Sequence, residues 1–400
     1  MKPRDFRGLA SYPGLSGNPF DLILHRALAL ERIPLSLFLG FLVLLAAIGG
    51  LRRWDAALLY LLAFLLDLLL LSLLPRLQIS FGPAKPPALA LACLRLLVCW
   101  LPFWPLAVLQ GLGTLLVLYG FFVEPRHVRL TQQKFPASSC TAHNSLRLLH
   151  LSDLHIERLS RREETVLRLV GDLQPDVIVF TGDILNLSCI RDARAIEEAR
   201  RFLTHLAAPL GVYFVTGSPA VDLPEHFPAI LEGTGVTWLN NRCLTLEKSG
   251  QPFTLIGINC SHQPDDDEAI LAEILSERPP GPRILLYHSP DLAPLAARYP
   301  IDLQLSGHTH GGQVRLPLIG ALFTGSLYGQ AFQAGRYSLN NLTLYISRGM
   351  GLEGAAAPRV RFLCPPEIIA WEIELESGDE HGVTKRKEAV FPADSFGISR

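Results

Sequence analysis

Charge is scarce in this 400-residue chain: Asp, Glu, Lys and Arg make up 18% of it, with 36 basic residues against 37 acidic ones. A net charge of −1 gives no field to attract a polyanion, and no basic patch stands out, so nucleic acid is not an expected partner. No CxxC pair and no small disulfide framework occurs among Cys140, Cys189, Cys243, Cys260 and Cys364, which read as structural thiols. A GxxxxGK[ST] phosphate loop is also absent, which argues against a kinase of that type. About thirty polar and amphipathic residues precede the first apolar run, so a cleavable signal peptide does not fit.

What is abundant is apolar surface, at 49% of residues and a mean hydropathy of +0.28. It concentrates in Ile33 to Gly50, Asp55 to Leu74 and Ala88 to Val123. The last run exceeds the roughly 20 residues that cross a bilayer, and the stretch Trp100 to Pro105, with two prolines and two tryptophans, splits it. About four membrane helices are expected, three being the alternative. With four crossings Lys2, Arg4, Arg7, Arg26, Arg32, Arg76, Lys85, Arg126, Arg129 and Lys134 share one side, and only Arg52 and Arg53 oppose them. The positive-inside rule then gives a multi-pass cell-membrane protein with its later domain in the cytoplasm. Asp67 and Arg95 lie inside apolar runs at a similar depth of about 10 Å and are candidates to pair. Before the first run, Asn18-Pro19 marks a helix start, and Phe20, Ile23, Leu24, Ala27 and Leu28 share a face that suits either the membrane interface or the soluble domain.

From Leu146 onward, short β-rich runs (Leu146–Leu151, Asp176–Thr181, Val212–Thr216, Phe253–Ile258, Ile284–Tyr287, Asp302–Leu305, Leu342–Ser347) alternate with amphipathic stretches, which predicts an α/β domain. Ser160 and Glu163 form a capping box, and a longer helix is expected within Ile190 to Ala208. The resulting division is 1–32 as an N-terminal segment with an interfacial helix, 33–123 as membrane helices, 124–375 as the catalytic domain and 376–400 as a flexible tail.

Asp and His cluster where predicted strands end: Ser152-Asp153-Leu154-His155, Thr181-Gly182-Asp183, Tyr287-His288-Ser289 and Ser306-Gly307-His308-Thr309-His310. Ligands of open α/β sheets bind beyond the carboxyl ends of strands, so these groups can converge across large sequence gaps. A mixed oxygen and nitrogen set suits Mn, Fe or Zn better than Mg or Ca.

In this order, Asp-x-His, Gly-Asp, a lone His and Gly-His-Thr-His resemble the calcineurin-like metallophosphoesterase superfamily. Gly307 to Pro317 and Pro365-Pro366-Glu367-Ile368 resemble its membrane-associated YkuE/YaeI-like branch. The resemblance covers about Val128 to Glu374 and implies a four-layer α/β sandwich, here preceded by an all-α transmembrane bundle, with two divalent metal ions. It implies that Asp153, His155, Asp183 and His310 hold one ion and that Asp183, His288 and His308 hold the other. A hydroxide between the ions would be the nucleophile, so no protein nucleophile is expected. The implied substrate is a phosphorylated small molecule or, given the anchor, a lipid-linked phosphate or diphosphate at the bilayer surface.

One segment departs from the family pattern. The usual Gly-Asn-His is Gly217-Ser218-Pro219 here, so Ser218 offers only a weak neutral ligand oxygen and Pro219 cannot transfer a proton. Asp222 or His226 is a candidate to fill the gap. The departure also allows a second reading, a metal-binding but catalytically silent sensor or docking module. Arg315, Arg348 and Arg361 are candidate phosphate contacts, with surface ion pairs as the alternative. A transporter is disfavoured, since Asp67 and Arg95 alone speak for it.

Overall fold

The fold is taken from a computed structural model, in which the described residues are 23–135 and 145–375, apart from 25 and 52. The helix start at Asn18 and the tail 376–400 lie outside them.

Four apolar helices come first: α1 (Leu35–Gly49), α2 (Trp54–Leu73), α3 (Lys85–Leu96) and α4 (Phe103–Leu118). Helix α4 continues through a π turn at Tyr119–Val123 and a 3-10 turn at Glu124–Arg126. Prolines occupy helix starts, Pro34 and Pro102 just before α1 and α4 and Pro86 and Pro87 inside α3, where a missing N–H costs least. Among the described residues, only α2 and the run Phe103–Arg126 are long and apolar enough to cross a bilayer. The expectation of about four membrane crossings is thus met by two helices of sufficient length: the 15 residues of α1 and the 12 of α3 rise only about 22 Å and 18 Å against a core of about 30 Å.

Inside this bundle Arg95 and Asp67 do pair. Arg95 Nε donates to Asp67 Oδ2 at 2.7 Å and Nη2 to Oδ1 at 2.8 Å. The remaining guanidinium donors reach Gln110 O, Gln110 Oε1 and Thr114 Oγ1 at 2.9–3.0 Å, so one cation ties α2, α3 and α4. Of the N-terminal segment, the described Leu24 and Leu28 pack against Leu187, Val221 and Ala355 of the soluble domain.

The soluble domain has two six-stranded sheets. The first contains β1 (Arg129–Phe135), β2 (Ser145–Leu151), β3 (Val177–Phe180), β4 (Val212–Phe214), β5 (Val236–Trp238) and β14 (Glu367–Glu374), ordered β1-β14-β2-β3-β4-β5. The second contains β6 (Arg242–Lys248), β7 (Gln251–Gly257), β8 (Arg283–Leu286), β9 (Leu303–Ser306), β12 (Gly335–Leu339) and β13 (Leu342–Ile346), ordered β12-β13-β9-β8-β7-β6. A small hairpin, β10 (Arg315–Leu316) and β11 (Gly320–Ala321), stands apart from both.

Strand alternation explains the layering. Leu148, Val177, Val179 and Tyr213 of one sheet meet Phe253, Leu255, Ile284, Leu286 and Leu303 of the other in a shared core. Their sequence neighbours Leu149, Ile178 and Phe180 face α5 (Arg161–Leu173) and α6 (Ala193–Thr204), through Val166, Val170, Ala199 and Phe202. Across the molecule Ile256, Leu285 and Leu344 face α7 (Pro264–Ser276) through Leu271 and Leu275. Helix, sheet, sheet and helix are the four layers. Ser160 and Glu163 cap α5 as expected, and α6 occupies the middle of the predicted long helix.

Two contacts fasten the helices to this domain. Phe81 N, in the turn between α2 and α3, donates to Glu157 Oε2 at 3.1 Å, and Arg359 Nη2 donates to Glu157 Oε1 at 2.6 Å. At the foot of α4, Arg361 N donates to Gly120 O at 2.9 Å, and Glu124 accepts from Leu363 N at 2.8 Å and from Cys364 N.

Candidate metal centre

The ends of β2, β3 and β4 deliver Asp153, His155, Asp183 and Ser218, while the segments after β7, β8 and β9 deliver His262, His288, His308 and His310. The chain must reverse sharply at each strand end to aim a side chain inward. Asp153, His155, Asp183, His262, His308 and His310 accordingly have φ between 44° and 68°, a left-handed backbone that non-glycine residues seldom adopt. Hydrogen bonds hold it there: Asp153 N donates to Gly182 O at 3.0 Å, His155 N to Asp183 O at 3.1 Å and His308 N to Asp153 Oδ1 at 2.9 Å. Gly217 and Gly307 make the approach sterically feasible, since a Cβ on either would overlap the carboxylate of Asp183 or Asp153.

Two groups of ligand atoms result, Asp153 with His155 and His310, and Asp183 with His288 and His308, each within 4.8 Å of one another and all buried. Asp183 Oδ2 lies between them, 3.5 Å from His155 Nε2 and 3.3 Å from His288 Nε2. The donor set fits divalent cations. His155 Nε2 and His310 Nε2 converge to 3.0 Å, and the Nδ1 atoms of both rings are buried without a hydrogen-bond partner among the described residues. Two other rings are oriented through their far nitrogens, His288 Nδ1 by Thr181 O at 2.7 Å and His308 Nε2 by Gly325 O at 2.9 Å.

The electrostatics follow from burial and proximity. Burial alone would lower His288, but the Asp183 carboxylate outweighs it and raises the imidazole to about 9. Burial and then the charge of His288 push His308 down to about 3. His262 and His310 are also depressed, first by burial and then by neighbouring imidazoles, so these three rings are neutral at pH 7, the form in which an imidazole can ligate a metal. Asp183 stays well below the usual carboxylate range: burial opposes ionisation, but the surrounding histidines prevail.

Ser218, which stands where the resemblance implies an asparagine, lies beside the second group. Its Oγ lies 3.3 Å from His288 Nε2, 3.5 Å from His308 Nδ1 and 3.2 Å from His262 Nε2. His262 was not among the residues expected here, although it follows β7 by a short turn, the same strand-end signal that marked the others.

Asp222 does not fill the gap left by Ser218-Pro219. It is buried, and its carboxylate accepts from Asp183 N at 2.8 Å, Gly217 N at 2.7 Å and Ile184 N at 3.0 Å, holding the ligand-bearing backbone rather than facing the cleft. His226 ends a 3-10 turn and belongs to neither group. A cleft of about 160 Å³ opens over the groups, lined by Ser218, Thr309, Gln313, Phe323 and Glu353 among others. None of the three candidate arginines lines it. Arg361 is fully buried and donates to the carbonyls of His310, Arg348, Cys364, Gly349 and Gly351. Arg348 pairs with Glu367, and both line a separate cleft with Arg315.

The family model for the calcineurin-like phosphoesterases matches residues 146–312, the span that holds every one of these strand-end ligands. Those residues form a calcineurin-like metallophosphoesterase domain. The chain is 29% identical over 269 residues to the uncharacterized metallophosphoesterase YkuE of Bacillus subtilis, covering 64% of this chain and 89% of that one. It is 26% identical over 308 residues to the UDP-2,3-diacylglucosamine pyrophosphatase LpxG of Chlamydia trachomatis, covering 62% and 89%. A bovine transmembrane protein with metallophosphoesterase domain is 32% identical over 240 residues, covering 53% of this chain and 50% of its own. The phosphoesterase domain's family uses divalent metals, and the two ligand groups are where such ions would be held.

Proposed function

We propose that the chain is a membrane-anchored, two-metal phosphohydrolase that cleaves a diphosphate or phosphate ester bond of a lipid-linked substrate. The observation that carries this reading is the convergence of the two ligand groups about Asp183 Oδ2. In it Asp153, His155, Asp183 and His310 hold one ion, and Asp183, Ser218, His288 and His308 hold the other, with His262 as a further nitrogen donor beside Ser218. Two such ions lower the pKa of a bound water, align the phosphoryl group and neutralise its oxygens.

Pro219 narrows the substrate class. With no acid at that position, a leaving oxygen receives no proton from it. An alcohol, with a pKa near the roughly 15.7 of water, needs one. A phosphate, whose second pKa is about 6, leaves without it. A diphosphate is therefore the favoured bond, which agrees with the pyrophosphatase activity for which the chlamydial relative is named.

The helices are read as four traverses, with the N-terminus and the domain on the cytoplasmic side. The contact of Phe81 with Glu157 supports this, because a turn after α2 that touches the domain lies on the domain's side, so α3 and the turn after it lead back toward the far side before α4. At the other end Arg53 Nη1 donates to Leu101 O at 3.0 Å, bringing the α1–α2 and α3–α4 turns together.

Full-length protein in nanodiscs, with Mn²⁺ and two bound metals verified by elemental analysis, is expected to hydrolyse a long-chain diphosphate faster than an alkyl phosphomonoester. No turnover of diphosphate, diester or aryl phosphomonoester at that occupancy refutes the reading. The Ser218-Pro219 replacement favours one other reading, a silent metal-binding docking module. An absence of gain from Ser218→Asn with Pro219→His would support it.

A further inference from the structure

The hairpin that follows the second ligand group is built from residues that a water-facing loop avoids. Leu318, at its tip, is fully exposed, Ile319 and Leu322 are each 57% exposed and Phe323 is 50% exposed, while Leu316 on β10 is also exposed. Val314 to Thr324 contains no acidic residue and a single cation, Arg315. Clustered on one short hairpin, these side chains make a continuous apolar prow, whereas scattered surface leucines would need no explanation.

The root of this hairpin is one side chain away from the foot of α4. Val314 bridges Phe362, and Arg315 N donates to Phe362 O at 2.9 Å. The Phe362 ring stands edge-on to Tyr119, with centroids 5.9 Å apart at 90°. Tyr119 and Val123 end the apolar face of α4, and the exposed Arg126 and Arg129 follow at once, as expected where a chain leaves hydrocarbon for anionic headgroups. From its other end the hairpin leads into the metal centre: Phe323 lines the cleft, and Gly325 O orients His308.

We propose that the β10–β11 hairpin inserts Leu318, Ile319, Leu322 and Phe323 into the leaflet that α4 leaves, so that the mouth of the cleft opens at the bilayer surface. The occupant of this apolar surface is lipid, because the patch continues the apolar face of a membrane helix of the same chain, and its exposed side chains, three aliphatic and one phenylalanine, include neither the Trp nor the Tyr anchor of a protein-binding hot spot. Resting on the hydrolase reading, the hairpin would also admit a lipid-linked phosphate sideways, its chains in the leaflet and its head group at the metals.

A photoreactive benzoylphenylalanine placed at Leu318 in the full-length chain, reconstituted in phosphatidylglycerol-containing nanodiscs, tests the insertion without needing catalysis. The expected product is a lipid adduct on the hairpin peptide, as from the same group placed at the exposed Trp104 of α4. An adduct at Trp104 alone, or a protein adduct at Leu318, overturns the proposal. For loading, Leu318→Asp with Ile319→Asp should slow hydrolysis of a long-chain diphosphate in vesicles by about tenfold or more and leave a water-soluble aryl phosphodiester unaffected in detergent. Equal effects on both substrates, or none on either, overturn the loading role. A wild-type chain that turns over nothing yet yields the Leu318 lipid adduct would refute the hydrolase reading and leave the hairpin contact standing.

Discussion

Ser218 Oγ and His262 Nε2 approach to 3.2 Å, placing a hydroxyl where the family carries an amide ligand and an imidazole directly behind it. A serine oxygen is a poor ligand, and on the proposed reading the His262 nitrogen beside it would compensate. His262→Ala is expected to weaken binding at the second site by about 10–100-fold, so that purified protein carries one metal per chain instead of two by elemental analysis. Two metals retained at limiting supply would show that His262 is only a neighbour. Conversely, Ser218→Asn with Pro219→His should raise turnover of alkyl phosphoesters by about 10²–10⁴-fold and that of diphosphates far less, because the restored acid matters only to a poor leaving group.

Asp222 stabilises the site from beneath. Its two oxygens satisfy the buried N–H groups of Asp183, Ile184 and Gly217. Asp222→Ala strands all three, and one unsatisfied buried donor already costs about 1–3 kcal/mol. A loss of roughly 3 kcal/mol in thermal unfolding is expected, together with reduced metal content, because the backbone that aims Asp183 is released. Unchanged melting would mean that solvent replaces the carboxylate freely.

Much of this was visible in the sequence because strands that carry ligands on their ends are central ones. β3 is four consecutive apolar residues, β8 has three after Arg283, and β2 and β9 carry leucines on either side of His150 and Gln304, and in each case the Asp or His group follows within three residues. Edge elements gave no such signal. β5 has three residues and β10 and β11 two each, too short for any period to register. His262 carries the strand-end signal only faintly, since Ile-Asn-Cys-Ser separates it from β7, and only the tertiary fold brings it to Ser218. By its type Arg361 suits a phosphate contact or a surface ion pair, and nothing local in a sequence tells that five carbonyls will surround its guanidinium. The same holds for Asp222, whose partners are backbone groups up to 39 positions away.

Asp176 predicts a pH dependence outside the metal centre. It accepts from Arg147 N at 2.8 Å and Arg147 Nη2 at 3.1 Å, and it pairs with Lys248 on β6 of the other sheet. Burial alone would raise its pKa, but these donors prevail and hold it below the usual carboxylate range. A depressed folded-state pKa contributes stability that is present above the unfolded value near 4 and lost as pH falls through the folded one. Asp176→Asn should therefore cost on the order of 2 kcal/mol at pH 7, with the gap to wild type narrowing below about pH 4 in denaturant titrations. A gap of constant size across that range would place the effect in packing instead.

The Asp67–Arg95 pair can be separated from a pair of independently tolerated charges by a double-mutant cycle. Asp67→Leu leaves the Arg95 guanidinium buried with only neutral acceptors, Gln110 and Thr114, and removing one partner of a buried pair costs about 3–5 kcal/mol. Removing both charges by adding Arg95→Leu abolishes the uncompensated cation, so the double variant should be more stable in detergent than Asp67→Leu alone. Recovery will be incomplete, because Gln110 Oε1 and Thr114 Oγ1 then lose their shared donor between α3 and α4. Asp67→Asn should fall between wild type and Asp67→Leu, since an amide oxygen can still accept one of the two hydrogen bonds. If Asp67→Asn and Asp67→Leu melt together and Arg95→Leu rescues neither, the two side chains contribute separately and the cation does not tie α2 to α3.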